Sequence, residues 1–347
     1  MENKRDLFSG LIGQNKAKKR LQFYLKGYNA TGVCPHLMFI APKGCGKTMM
    51  SKAMGKLLTS AEDSSVSKPF LEINCSTIKN VKQLFNQIFI PHVANKECTV
   101  LFDEASELPK DVTMALLTIL NPNPENRTSF SYDDYTIDFD FAHHTFMFAT
   151  TEAHQIFHAL MDRCERVDLE EYTYEELGKI VKLTLPTVEF DEGLLTEVAT
   201  VLRGNARAAQ KMANNVKVYL QAKGNKEFTW EDWKEIQDSL SILPLGLNEI
   251  EMQVLRHLSQ KKECSLTYLA AKTCLTKACL QRDFEMYLQK MNLMEISTAG
   301  RAITAKGKDY LEDFDKALAE EESAKTPKEP VKLVLPKAAP FGDAAAA

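Results

Sequence analysis

Short apolar runs alternate with longer amphipathic segments through the first half of the chain, which is the pattern of strands and helices in an α/β sheet. Four runs are predicted to be strands: His36–Ile40, Phe70–Asn74, Thr99–Phe102 and Thr145–Ala149. From about Leu169 to Leu243 the apolar residues instead recur at spacings of three and four, with no convincing strand among them. The pattern therefore predicts an α/β domain at residues 1–168 and a helical domain at 169–243.

A break at Pro244-Leu245-Gly246 precedes a third pattern of three helices, two short strands and a last helix. The predicted caps of the three helices are Asn248, then Ser265 or Thr267, and then Thr276. The third helix is expected to run to about Met291. Strands near Leu293–Ser297 and Ala302–Thr304 flank the tight turn Ala299-Gly300-Arg301. This order predicts a winged helix, a helix-turn-helix with a β-wing, at residues 244–315.

Composition changes again after about Asp315, where Glu, Lys, Ala and Pro dominate, so residues 316–347 are predicted to be a mostly disordered tail. No apolar run reaches the roughly 18 to 20 residues that a membrane span needs. The N-terminus carries no apolar stretch typical of a secretory signal, and the eight cysteines form no C-x-x-C pair. We therefore expect a cytoplasmic protein with no membrane segment.

A phosphate-binding motif follows the first predicted strand. Residues Ala41–Thr48, A-P-K-G-C-G-K-T, match G-x-x-x-x-G-K-[ST] with alanine at the first position. Gly44 and Gly46 let backbone N–H groups surround phosphate oxygens at the positive end of the following helix. Lys47 can reach the β- and γ-phosphates, and the Thr48 hydroxyl can bind Mg²⁺. The motif predicts an ATP site with Mg²⁺ as cofactor.

Two carboxylates, Asp103 and Glu104, end the apolar strand Thr99–Phe102. A strand buried on both faces has no structural reason to end this way unless the carboxylates meet a cation or a reacting group. Asp103 is predicted to hold Mg²⁺ with Thr48, and Glu104 to be the general base that activates water. A solvated acidic strand end is the alternative, and the P-loop about 55 residues upstream argues against it.

The ordered motifs resemble those of the AAA+ ATPases: I-G-Q at Ile12–Gln14, the P-loop, D-E, F-A-T-T, L-M-D-R and G-N-A-R. The third domain is similar to that of the RuvB family of Holliday-junction branch-migration motors, through L-G-L-N-E-I-E-M-Q-V-L near Gly246 and S-T-A-G-R at Ser297–Arg301. The similarity covers roughly residues 8–310. It implies an α/β fold with an AAA+ P-loop domain built on a parallel sheet, a helical lid domain and a C-terminal winged-helix domain.

The resemblance also implies residue roles in a hexameric ring that hydrolyses ATP between subunits and grips branched duplex DNA. Arg163 would be the finger that reaches the neighbouring subunit's ATP, and Arg207 would act in cis from the lid. Thr151, or Thr150, would orient water or the γ-phosphate, which completes a catalytic set with Glu104 and Lys47. The implied nucleotide contacts are Ile12, Gln14, Pro42, Lys43, Gly44, Cys45, Gly46, Lys47, Thr48, Met49 and Arg207. The implied DNA contacts are Arg301, projecting from the wing, with Lys277, Arg282 and Lys306.

A net charge of −4 predicts no overall attraction to DNA, so DNA contact requires a local basic patch. Residues Cys264–Tyr310 contain seven Lys or Arg against four Asp or Glu, which is consistent with phosphate contact. A solvated face would have similar charge, and winged helices also serve to dock proteins.

A hairpin is predicted for Asn126–Tyr132 and Tyr135–Phe141, with its turn at Asp133-Asp134. RuvB carries at this place the hairpin that docks RuvA. Here the hairpin is shorter and its tip is acidic, so a RuvA-type protein is not expected to bind in the standard way. A RuvA-like or other recombination protein is the partner that the resemblance implies.

Two classes of function are consistent with the motifs. One is a DNA translocase that couples ATP turnover to branch migration. The other is an ATP-dependent assembly switch like a clamp-loader subunit, since Arg163-Cys164 resembles the clamp-loader S-R-C motif. Clamp-loader subunits normally carry a helical collar as their third domain, which favours the translocase. A recombination or replication adaptor with slow ATP turnover is a further alternative.

Overall fold

The computed structural model describes residues 7–325 apart from 61, 62, 64, 95, 121–126, 133, 134 and 142. The chain falls into two compact units that join between Gly246 and Leu247. This junction lies next to the predicted break at residues 244–246. The finer division of the first unit at residue 168 stays a prediction.

A parallel sheet of five strands forms the centre of the first unit, in the order β2-β3-β6-β1-β7. The strands up to the end of this sheet are β1 (Leu37–Ile40), β2 (Phe70–Asn74), β3 (Thr99–Asp103), β4 (Arg127–Tyr132), β5 (Tyr135–Asp140), β6 (Thr145–Thr150) and β7 (Glu165–Asp168). The four predicted strands are confirmed. The sequence pattern missed β7 because only Val167 of its four residues is buried.

Alternate side chains of the sheet enter two apolar layers, which is why apolar residues occupy consecutive strand positions. Phe102 and Phe148 belong to one layer, whereas Phe39 and Leu101 belong to the other. The surrounding helices are α1 (Asn15–Thr31), α2 (Lys47–Leu57), α3 (Val81–Leu84) with a π-helix at Phe85–Val93, α4 (Lys110–Ile119) and α5 (His158–Met161). Helices α1 and α2 contribute to the layer of Phe39, and the others to the layer of Phe102. Polar side chains are thereby left to the strand ends.

The strands β4 and β5 pair antiparallel, from Arg127 opposite Asp140 to Tyr132 opposite Tyr135. The predicted hairpin is therefore confirmed. Its acidic tip, Asp133-Asp134, lies outside the described residues.

Four helices pack around a separate apolar cluster that includes Leu177, Val198, Val216 and Trp233. They are α6 (Tyr174–Thr184), α7 (Leu194–Thr200), α8 (Ala206–Lys223) and α9 (Trp230–Leu240). The expectation that this region contains no strand is wrong, since β8 (Glu189–Phe190) pairs in parallel with β9 (Glu227–Phe228). Two residues are too few to show a strand's alternation of apolar and polar positions.

The second unit contains the helices and strands of the predicted winged helix. They are α10 (Glu249–Ser259), α11 (Leu266–Lys272), α12 (Lys277–Cys279), α13 (Met286–Lys290), β10 (Met294–Ile296), β11 (Arg301–Ile303) and α14 (Ala305–Lys325). A π-helical segment, Leu280–Glu285, joins α12 to α13 into one long helix. The side chains of Asn248, Ser265 and Thr276 each accept a backbone N–H at the start of their helix, so the predicted caps are confirmed, with Ser265 rather than Thr267.

Helix α14 corrects the prediction of a tail disordered from residue 316, because it continues to Lys325. Residues 316–325 are K-A-L-A-E-E-E-S-A-K. Ala, Glu and Lys are strong helix formers and also dominate disordered segments, so composition could not distinguish the two states. Residues 326–347 lie outside the described part. Among the helices described, none is long and apolar enough to cross a membrane.

Candidate functional site

The P-loop lies between the end of β1 at Ile40 and the start of α2 at Lys47. Gly44 and Gly46 have φ values of 78° and 91°, in the left-handed region that favours glycine. A Cβ atom at Gly44 would also lie 1.9 Å from the side-chain oxygen of Asn205. Both glycines are thus required by the backbone, and the loop presents its N–H groups at the N-terminus of α2.

A short hydrogen bond joins the two predicted Mg²⁺ ligands. The Thr48 hydroxyl donates to Oδ2 of Asp103 at 2.7 Å. The pairing of β3 with β6 and of β6 with β1 brings these two residues to the same edge of the sheet. Hydroxyl and carboxylate oxygens belong to the ligand class that Mg²⁺ prefers, so the pair fits this cation.

The Lys47 ammonium lies inside the same loop. Its Nζ donates to the carbonyl oxygens of Ala41 at 2.9 Å and Pro42 at 3.2 Å. Burial lowers the pKa of Lys47, while the nearby carboxylates of Asp103 and Glu104 act in the opposite direction. A partly buried cation of this kind gains stability from a bound anion, which suits contact with phosphate.

Glu104 has an unusual backbone for a residue with a side chain. Its φ of 56° and ψ of 48° lie in the left-handed region, at a cost on the order of 1–3 kcal/mol. Its N–H donates to Oδ1 of Asp103 at 3.0 Å, which holds the conformation. The strained backbone holds Glu104 at the wall of the cavity beside Asp103.

A cavity of about 550 Å³ surrounds these groups. Most predicted residues line it: Ile12, Lys43, Gly44, Gly46, Lys47, Thr48, Met49, Asp103, Glu104, Thr150, Thr151 and Arg207. Sequence reasoning missed several other lining residues, including Leu11, Glu107, Tyr172, Ile180, Leu183 and Gln210. Ile180, Leu183 and Gln210 lie on lid helices, where no motif distinguishes a cavity-facing side chain from any other.

Gln14 does not line the cavity. Its buried side-chain amide accepts the N–H of Glu170 at 3.0 Å and donates to the Glu170 carbonyl at 2.6 Å. Gln14 thus fixes the segment that leaves β7, and the structure gives no support for a direct nucleotide contact. Cys45 is buried in the apolar layer and, like Pro42, is absent from the cavity lining.

The structure separates the two threonines at the end of β6. Thr150 is buried, and its hydroxyl accepts the N–H of Glu152 at 3.0 Å. Thr151 is exposed on the cavity wall. Thr151 is therefore better placed than Thr150 to orient water or a phosphate.

The two predicted arginines occupy different places in the first unit. Arg207 lies in the first turn of α8 and lines the cavity. Arg163 follows α5, does not line the cavity, and donates from Nη1 to the Ala159 carbonyl at 2.8 Å. This placement suits a cis role for Arg207 and a trans role for Arg163, both of which stay predictions.

The prediction that Arg301 projects from the wing is wrong. Its Nε and Nη2 atoms donate to the two carboxylate oxygens of Glu285 at 3.0 and 3.2 Å. The Arg301 side chain is only 14% exposed and that of Glu285 is 1% exposed. The π-helical segment explains the pairing, because it turns Glu285 rather than Phe284 onto the buried face of Leu280. A sequence pattern that assumes α-helical spacing would not have found this partner.

The other predicted DNA contacts are exposed. Lys277 lies at the start of the long helix, and Arg282 is 78% exposed beside Asp283. Lys306 is also exposed, with its Nζ donating to the Met291 carbonyl at 3.0 Å.

Arg301→Met is expected to destabilise the winged-helix unit by about 3–5 kcal/mol, because it leaves the Glu285 carboxylate buried without its partner. Arg282→Met is the matched control, and its exposed ion pair should cost less than about 1 kcal/mol. Hydrogen exchange of residues 247–325 over a denaturant series measures both. Adding Glu285→Leu to Arg301→Met should recover most of the loss. Equal stability of the two single variants would contradict a stabilising buried pair.

Comparison with known proteins gives matches in both units. Residues 37–172 match the AAA family, "ATPase family associated with various cellular activities", and residues 244–312 match the RuvB C-terminal winged helix domain. A RuvB subunit of the Holliday junction branch migration complex from Koribacter versatilis is 26% identical over 312 residues, covering 86% of this chain and 82% of the relative. The corresponding protein of Wolbachia pipientis wMel is 23% identical over 314 residues, covering 86% and 90%.

Solved structures give the same fold. The Thermotoga maritima RuvB Holliday junction branch migration motor aligns with a TM-score of 0.67 at 21% identity, covering 87% of this chain and 95% of that one. The P-loop, the carboxylate pair that ends β3 and the C-terminal winged helix lie on this fold in the expected order. The chain is a divergent RuvB-like member of the AAA+ ATPases.

Proposed function

We propose that this protein is an ATP-driven motor that works as a ring, expected to be a hexamer, and moves branched duplex DNA in recombination and repair. The observation that carries the proposal is a RuvB-type winged helix on the same chain as an AAA+ nucleotide site. The named relatives are subunits of a Holliday junction branch migration complex. Junction migration is therefore the activity proposed, in the cytoplasm.

The residues of the site divide the work of ATP hydrolysis among them. The P-loop N–H groups and Lys47 would bind the phosphates, and Glu104 would take a proton from the attacking water. Thr48 and Asp103 would hold Mg²⁺, which neutralises charge on the phosphate oxygens. Thr151 would orient the water, and Arg207 would contact the phosphates from the lid.

DNA contact is proposed for one face of the long helix that starts at Lys277. Arg282, Met286 and Lys290 follow each other at spacings of four, so they lie along one side of the helix. All three are exposed, and Met286 is 64% exposed, which is unusual for an apolar side chain without a partner to contact. This recognition face, defined by Arg282, Met286 and Lys290, replaces Arg301 as the centre of the proposed DNA surface.

Arg282→Ala should weaken DNA binding and flatten the log–log dependence of affinity on salt by about 0.9, the effect of losing one phosphate contact. Linear duplexes of different sequence should be affected alike, because a phosphate contact carries no base information. Fluorescence anisotropy over a salt series measures the slope. Arg166→Ala removes an exposed arginine of the first unit and is the control. An unchanged slope in Arg282→Ala would exclude this face as the phosphate contact.

The proposed function is tested by ATP turnover without DNA, with linear duplex and with a four-way junction. Turnover should rise with duplex and rise further with the junction. Identical turnover in all three conditions, with no DNA binding, would favour an assembly switch. No structural feature favours that alternative, since the second unit contains a winged helix where a clamp-loader subunit carries a helical collar.

The β4–β5 hairpin is the element proposed to bind a partner protein. It occupies the same place in the chain as the hairpin through which RuvB docks RuvA. Because the tip sequence Asp133-Asp134 is acidic, the partner is expected to present a basic surface there rather than the apolar one of a standard RuvA.

A further inference from the structure

The loop that precedes α8 touches the nucleotide-binding loop directly. The N–H of Ala206 donates to the carbonyl oxygen of Gly44 at 3.0 Å. The Asn205 side chain lies against Gly44 so closely that no Cβ atom could fit between them. Asn205 also caps α8 by accepting the N–H groups of Arg207 and Ala208. A change in the P-loop backbone at Gly44 must therefore move residues 201–206, the α8 loop, or break these contacts.

The same loop holds the residues that lead into the second unit. Arg203 donates through both Nε, at 2.8 Å, and Nη2 to the carbonyl oxygen of Gly246. Gly246 is the last residue of the first unit. A Cβ atom at Gly246 would lie 2.2 Å from the carbonyl oxygen of Val201, so the backbone of the linker rests directly on the α8 loop.

Backbone strain marks both sides of this contact. Arg203 and Leu245 have φ values of 54° and 58°, in the left-handed region that residues with side chains rarely adopt. Such conformations persist only where surrounding contacts determine them. The hydrogen bonds from the guanidinium are charge-assisted and half-buried, so they are strong enough to hold the linker in its place.

We propose that Arg203 is a positioning residue that transmits the state of the P-loop to the linker carrying the winged-helix unit. Arg203 does not line the nucleotide cavity, so it acts through its neighbours. Phosphate binding at Gly44 shifts the α8 loop through Ala206 and Asn205, and Arg203 carries the shift to Gly246. The path is a continuous chain of hydrogen bonds and backbone contacts, the physical basis that coupling between two sites requires. Its effect on DNA rests on the proposed function.

The first test needs no DNA. Hydrogen exchange of the peptide covering residues 241–248 is measured without nucleotide, with ADP and with a non-hydrolysable ATP analogue. In the wild type the exchange rate should differ between these states. In Arg203→Met it should be faster in every state, by about tenfold, and should no longer respond to nucleotide. Arg166→Met, an exposed arginine of β7, should behave as the wild type.

The second test measures coupling to DNA. Arg203→Met should keep basal turnover and the KM for ATP within about twofold, while stimulation by DNA falls by about tenfold, within the range typical of coupling residues. Arg203→Lys keeps one donor and should retain part of the stimulation. Gly246→Ala breaks the same contact from the other side and gives an independent variant should Arg203→Met not fold.

A linker that responds to nucleotide in Arg203→Met as in the wild type would overturn the proposal. So would a wild-type linker with no nucleotide response. If the wild type shows no DNA stimulation, the proposed function fails, while the exchange measurement still decides the role of Arg203.

Discussion

Glu104→Gln is expected to lower ATP turnover by at least ~10²-fold while ATP remains bound. The substitution removes the group that accepts a proton from water but leaves the contacts of Thr48, Asp103 and Lys47 intact. The left-handed backbone of Glu104 supports this role, since the surrounding structure holds a strained residue at the cavity wall. Steady-state turnover and equilibrium ATP binding, measured on the same preparation, separate the two effects.

Two controls make this result specific. Lys47→Ala should lose nucleotide binding itself, because the ammonium that contacts the phosphates is gone. Glu175→Gln changes a carboxylate on α6 that is 78% exposed and paired with Lys179, and it should leave turnover unchanged. Near-normal turnover in Glu104→Gln would exclude Glu104 as the base.

Arg163→Ala is expected to keep ATP affinity and lose turnover by about 10³-fold or more, the range for an arginine finger. Arg163 does not line the cavity of its own subunit, so its loss cannot be explained by a direct contact there. Its Nε is buried without a hydrogen-bond partner in the described structure, which leaves part of the guanidinium for a group outside the chain. A neighbouring subunit's ATP is that group in the proposed ring.

Mixing distinguishes a trans role from a cis role. When Arg163→Ala and Glu104→Gln chains assemble together at equal amounts, about a quarter of the interfaces should combine an intact Glu104 with an intact neighbouring Arg163. Turnover should therefore recover well above that of either variant alone. Absence of recovery across several ratios, with co-assembly confirmed by a tag on one chain, would show that Arg163 acts within its own subunit or only structurally.

The nucleotide site could be predicted from sequence because its chemistry demands fixed residue types at fixed places. Phosphate contact requires Gly44, Gly46 and Lys47 between a strand and a helix, and Mg²⁺ requires oxygen ligands at the strand ends. The 2.7 Å bond between Thr48 and Asp103 joins two residues that motif spacing alone had paired. Chemistry of this kind leaves the same signal in any sequence that performs it.

Other features could not be predicted, because they depend on which groups meet in three dimensions. Gln14 belongs to a nucleotide motif, yet its amide is bound by the backbone of Glu170. Arg301 was expected to face DNA, but the π-helical turn brings Glu285 within reach of its guanidinium. Both side chains have the right chemistry for the predicted role, and only their partners exclude it. The contact of Arg203 with Gly246 has no sequence signal at all.

Strand dissociation from a synthetic four-way junction, at protein concentrations that saturate the DNA, is the most direct test of the motor. The wild type with ATP and Mg²⁺ should separate the junction into two duplexes. Glu104→Gln with ATP, and the wild type with a non-hydrolysable analogue, should bind the junction without separating it. A wild type that binds the junction and hydrolyses ATP, yet separates the strands no faster than Glu104→Gln, would contradict branch migration.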